Sequence, residues 1–133
     1  DDEEEEEEEL DEQSVRDRDF RRTFALPATE MIISETPCYI KRIVKEHGRI
    51  YVSPNFVCFN ARVFGKTTKV VMAAKDIVSA KVEGKDALSV KTKRKRWHFY
   101  EVRDPASLCD MITRLHDKST RSTNKEFASA HSR

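Results

Sequence analysis

Only three glycines, Gly48, Gly65 and Gly84, occur in 133 residues, too few and too scattered to build a glycine-rich phosphate loop. Cysteine is as scarce: Cys38, Cys58 and Cys109 are odd in number, far apart and each set in an apolar stretch. That pattern argues against a disulfide framework or a C-x-x-C metal site and for a reducing compartment. No apolar run approaches the roughly 18 residues needed to cross a bilayer, and the chain opens on acidic residues instead of a signal sequence, so a soluble, cytoplasmic protein is expected. The four histidines, His47, His98, His116 and His131, lack metal-ligand spacing, and no neighbouring Ser, Asp or Cys completes a nucleophile pattern. These shortages leave no catalytic and no metal-binding residue to name, and no cofactor is expected.

What is present is charge, unevenly placed. Residues 1–12 hold 11 acidic side chains and no basic one, whereas the remaining residues carry 25 basic and 13 acidic groups. So dense a run of like charge repels itself, which predicts a disordered acidic tail over 1–19. The polar stretch 119–133 reads as a second tail or linker, and a start without methionine suggests a piece of a longer protein. About 100 residues, 20–118, remain for a single hydrophobic core.

Within that core the period-two pattern of β-branched and aromatic residues predicts strands at 38–45, 49–53, 56–60, 68–73, 77–82, 87–92 and 96–102. The connections are too short for crossover helices, so the pairing is antiparallel and a barrel or sandwich is expected. Before the strands, Phe24-Ala-Leu-Pro27 and Glu30-Met-Ile-Ile33 read as an extended entry leading into a short apolar segment, with one helical turn after the proline as an alternative, that lids the core. The final element differs. Leu108, Met111, Ile112 and Leu115 recur at i, i+3, i+4, i+7, with Asp104 placed to cap and Pro105 suited to the first helical position. This predicts one amphipathic helix laid across an open mouth of the barrel. Gly48 is expected to relax the backbone ahead of a strand, Ser53-Pro-Asn55 to turn it, and Phe56, Cys58 and Phe59 to fill the core beside Ile50 and Val52.

Four segments in order carry a family resemblance: Phe24-Ala-Leu-Pro27 with Glu30, then Gly48-Arg-Ile-Tyr-Val-Ser-Pro-Asn-Phe-Val-Cys-Phe59, then Thr68-Lys-Val-Val with Asp76-Ile77, then Trp97-His-Phe-Tyr100 before Arg103-Asp104. Between Phe24 and His116 the chain resembles GRAM domains, members of the pleckstrin-homology-like superfamily. The resemblance implies a mainly β fold, a seven-stranded antiparallel barrel capped by one α-helix, and a role in membrane or lipid recognition within a larger protein.

The residues suggest where such a role would sit. Lys91-Thr-Lys-Arg-Lys-Arg96 places five cations in six positions, and the absence of Gly, Asn or Pro there predicts a long exposed loop instead of a tight turn. At about 1 kcal/mol per basic residue near an anionic bilayer, Lys91, Lys93, Arg94, Lys95 and Arg96 together supply at most roughly 5 kcal/mol, a reversible and salt-sensitive attraction. Arg62, Phe64 and Lys66 add an aromatic between cations, suited to a lipid interface. The leading expectation is a non-catalytic module binding anionic phospholipids, phosphoinositide or phosphatidylserine, peripheral on a membrane. Alternatively Lys93-Arg-Lys-Arg96 serves a protein-interaction or nuclear module, or the domain only positions its neighbours. Nucleic acid is the least favoured partner, because such binding calls for basic residues on one face with stacking aromatics between them, and Trp97, Phe99 and Tyr100 are needed partly for the core. The acidic tail opens a further expectation: contact with the basic loop, in competition with an anionic target.

Overall fold

The computed structural model describes the backbone of residues 11–131 and the side chains of residues 11–121. Order begins earlier than the charge density suggests: α1 (Glu12–Phe24) replaces the disorder expected over residues 12–19. Asp11 caps it, its carboxylate accepting from the Ser14 N–H at 2.7 Å, and Ala25 ends it in the left-handed region at φ 53°. Phe20 and Phe24, one turn apart, supply the face that holds this charged helix against the protein. Residues 1–10 lie outside the described residues.

Seven strands follow: β1 (Ser34–Lys41), β2 (Lys45–Val52), β3 (Phe56–Val63), β4 (Lys66–Ala73), β5 (Ile77–Glu83), β6 (Ala87–Thr92) and β7 (Arg96–Phe99). They are antiparallel, but among the described residues they do not close into a barrel. The first four form one sheet in the order β1-β2-β3-β4, and the last three form a second, β5-β6-β7. A 3₁₀ turn, Ala74–Asp76, carries the chain from one sheet to the other, and an isolated bridge between Tyr39 and Tyr100 joins β1 to the end of β7. The expected barrel is therefore two sheets meeting at one corner.

Inward residues alternate as the pleat requires, so Ile50, Val52, Val57, Phe59, Val70 and Met72 of the first sheet meet Ile77, Leu88, Val90 and Phe99 of the second. Phe59 and Phe99 face each other across the layers with ring centroids 5.7 Å apart. Phe56 and Cys58 do not share this core, contrary to the sequence expectation. They lie on the opposite face of β3, where Phe20, Phe24, Leu26 and Tyr51 cover them. Gly48 lies inside β2, opposite Ala61, and a Cβ there would stand 1.8 Å from the Asn60 carbonyl oxygen, so glycine serves a close strand approach and not a preceding turn.

The closing helix is as predicted at its start. α2 (Pro105–His131) begins with Asp104 accepting from the Ser107 N–H at 3.1 Å, and it buries Leu108, Ile112 and Leu115 against the two sheets. Its backbone continues to His131, so residues 119–131 are helical where a disordered tail or linker was expected.

Candidate basic and apolar surface

The β3–β4 hairpin has a two-residue loop, Phe64-Gly65, closed by the pair Val63 and Lys66. Both loop residues have positive φ, 52° and 77°, the geometry of the type I′ turn that matches strand twist. Gly65 adopts it freely, whereas an L-residue in the left-handed region costs about 1–2 kcal/mol. Phe64 accepts that strain and receives no packing in return, being 92% exposed between Arg62 and Lys66, which are exposed too.

A second apolar tip stands at the same end of the sheet. The chain leaves β1 at Lys41 and not at residue 45 as expected, and residues 42–44 form a turn that presents Ile43 at 98% exposure. Its base is rigid. Arg42 donates from Nε and Nη2 to the Glu46 carboxylate at 2.6 and 2.8 Å and from Nη2 to the Thr68 hydroxyl at 2.9 Å, while that hydroxyl donates to Glu46 at 2.6 Å. These hydrogen bonds, with the Arg42 charge, hold the Glu46 carboxyl down to about 2, and they tie the β1–β2 turn to β4 beside the Phe64 hairpin. Lys41 and Lys45 flank Ile43 as Arg62 and Lys66 flank Phe64. Sequence reasoning missed Ile43, because a β-branched residue between Lys41 and Lys45 reads as strand; its signal was the charge on either side, Lys41-Arg42 and Lys45-Glu46.

The basic residues 91–96 gather around the β6–β7 turn, which is tighter than expected. Lys91 pairs with Arg96, and only residues 93–95 separate the strands. Thr92 takes the place of glycine: its hydroxyl accepts from the Arg94 and Lys95 N–H groups at 3.4 and 3.1 Å and donates to the Lys95 carbonyl at 2.9 Å. Lys93 approaches Asp76 at 3.8 Å, Lys95 sits 4.0 Å above the Trp97 ring, and Arg96 reaches Ser89 at 3.1 Å. Between this turn and β4 opens a cleft of about 610 Å³, lined by Lys69, Val71, Asp76, Lys93, Lys95 and Trp97 among others. The cleft brings Lys93, Arg94 and Lys95 to Lys69; Arg62, Phe64 and Lys66 stand apart on their own hairpin, and Lys91 and Arg96 lie outside the lining.

Behind these surfaces, one buried carboxylate holds the opening segment. Glu30 accepts from the Ser53 hydroxyl, the Asn55 backbone N–H, the Asn55 side-chain amide and the Thr29 hydroxyl at 2.8, 2.8, 2.9 and 3.0 Å. Burial pushes its pKa up, yet these donors outweigh burial and leave it below the usual carboxylate value. Burial also pushes the Cys38 and Cys58 thiols up to about 12, so neither offers a thiolate. Partly exposed, His98 meets Glu83 at 3.1 Å. Among the described residues no group of His, Cys, Asp and Glu is arranged to hold a metal, and no helix is long and apolar enough to cross a membrane.

Comparison with known proteins places this geometry. The GRAM domain family model matches residues 18–121. A sterol 3-beta-glucosyltransferase of Emericella nidulans is 32% identical over 116 residues, 83% of this chain and 8% of that protein. Protein Aster-B of Homo sapiens is 38% identical over 65 residues, 48% of this chain and 9% of that protein. The chain thus spans less than a tenth of either relative. Among solved structures, the linker-DH/PH domains of p115-RhoGEF superpose with a TM-score of 0.56 at 10% identity, over 81% of this chain and 34% of that one, which shows a shared pleckstrin-homology fold.

Proposed function

The chain belongs to the GRAM domain family, and from that premise we propose that it is a non-catalytic module that docks on anionic phospholipid surfaces and holds a longer protein peripherally at a membrane or at a contact between two membranes. Two apolar tips, Phe64 and Ile43, enter the lipid interface. Lys41, Lys45, Arg62 and Lys66 engage headgroups around them, and Lys91, Lys93, Arg94, Lys95 and Arg96 add longer-range attraction from the β6–β7 turn. The observation that carries this reading is Phe64, an aromatic 92% exposed on a strained backbone, flanked by cations and beside a second tip 98% exposed. A fold gains nothing from such a residue in water, whereas an interface that takes up an aromatic and leaves its neighbours in the headgroup layer gains from all of them. The 32% identity to a sterol glucosyltransferase lies in this domain-sized segment alone, so no glycosyl transfer is carried over.

The test is co-sedimentation of the full chain with vesicles of phosphatidylcholine alone or containing phosphatidylserine or a phosphoinositide. Binding to the anionic vesicles is expected, lost with Ile43→Ser and Phe64→Ser together and weakened by Lys93→Ala, Arg94→Ala and Lys95→Ala. Absence of binding to every vesicle would reassign the surface to a protein partner.

A further inference from the structure

The cleft beside β4 is not explained by the apolar tips. One wall is the outer edge of β4, which has no ladder partner among the described residues. With Val63 and Lys66 closing the hairpin, the alternation of an antiparallel ladder turns the backbone groups of Thr67, Lys69 and Val71 away from β3 and toward the cleft. The other wall is the Thr92-locked turn with Lys93, Arg94 and Lys95, and Trp97 contributes to the lining. Asp76 is the single acidic residue in that lining, against four basic ones, Lys69, Lys93, Arg94 and Lys95. Such a cleft fits an extended polyanion.

One polyanion is covalently at hand. Residues 1–10 carry nine carboxylates and no basic group, and they join the domain at Asp11, the cap of α1. That helix lies on the outer face of the first sheet, over Tyr51 and Cys58 and beside Asn60. Cys58 and Asn60 pair with Val71 and Lys69, so the cleft begins one strand beyond the helix. Ten extended residues reach about 33 Å, beyond the roughly 13 Å radius of gyration of a domain this size. A short tether also sets a local concentration in the millimolar range, enough to populate a weak ionic contact.

We propose that the acidic segment 1–10 seats in the cleft between β4 and the β6–β7 turn, its carboxylates on Lys69, Lys93, Arg94 and Lys95, so that any external anion at that turn must displace it. The tips bearing Phe64 and Ile43 stay free.

Trp97, the single tryptophan of the chain, reports on the contact directly, because Lys95 lies over its ring. The full chain is compared in lipid-free buffer with a chain lacking residues 1–10, and with one carrying Glu→Gln at positions 3–9, by Trp97 emission and backbone amide resonances. In the full chain at about 50 mM salt, the amides of Lys69, Val71 and residues 92–95 are expected to differ from both variants, those of Ile43 and Phe64 not. Raising salt to about 500 mM should abolish the difference. Identical cleft amides in all three chains at low salt, or differences as large at Ile43 and Phe64, would overturn the proposal. Both readouts are taken without lipid, so failure of the membrane reading leaves this test intact.

Discussion

Replacing Phe64 by asparagine should make the protein more stable and a poorer membrane binder at once. The side chain is 92% exposed, so its removal sacrifices no packing, while its backbone sits at φ 52° in a turn whose first position favours asparagine. The left-handed conformation costs an ordinary residue about 1–2 kcal/mol, and asparagine recovers about half of that. A gain of about 0.5–1 kcal/mol corresponds to a rise in Tm of about 2–8 °C for a domain near 100 residues. Phenylalanine buried at a lipid interface contributes about 1.5–3 kcal/mol, so the same change should weaken vesicle binding by about 10- to 150-fold. Circular-dichroism melts and vesicle titrations on one preparation check both, with Phe64→Leu retaining most of the binding. A lower Tm for Phe64→Asn would refute the strain argument, and unaltered binding would refute insertion.

Three further outcomes follow from buried polar groups and thiols. Glu46 is held at about 2, below its value in the unfolded chain, so its ion pair stabilises the fold above about pH 5, and that contribution, about 1–3 kcal/mol, fades as pH falls from about 4.5 toward 2; a melt series over this window should steepen in the native chain and flatten in Glu46→Gln. Glu30→Ala strips the Ser53 hydroxyl and both Asn55 donors of their acceptor and should cost at least about 3 kcal/mol in urea unfolding; a loss below about 1 kcal/mol would show that the opening segment is held by its apolar contacts alone. A disulfide-exchange thiol reagent should modify Cys109 in the folded protein and reach Cys38 and Cys58 only after denaturation, because burial raises those two thiols to about 12.

How much of this a sequence displays depends on whether the cause is local. The stripe Leu108, Met111, Ile112, Leu115 and the Asp104-Pro105 start are nearest-neighbour signals, and α2 begins where they place it. The seven strands were legible from alternation, and the exposed cations of residues 91–96 from their density. Closure of the barrel was not, since whether β4 finds a partner is decided across the fold. α1 was hidden because eleven acids in twelve residues outweigh two phenylalanines that gain meaning only when Tyr51 and Cys58 lie beneath them. The anchoring role of Glu30 was hidden because nothing local shows that Ser53 and Asn55, more than twenty residues away, will aim donors at it. Ile43 looked like strand because exposure is not written in residue type.

The bridge between Tyr39 and Tyr100, the one isolated bridge among the described residues, has a mechanical corollary. The amino-terminal helix and the Glu30 anchor grip the first sheet, and the closing helix lies chiefly on β5 and the 3₁₀ turn. Tension applied between the two ends would therefore be borne by the seam between the sheets: one pair of backbone hydrogen bonds, 2.9 and 3.0 Å long, and the interdigitated rings behind it. The domain would part there like a clasp, with each sheet keeping its own ladder.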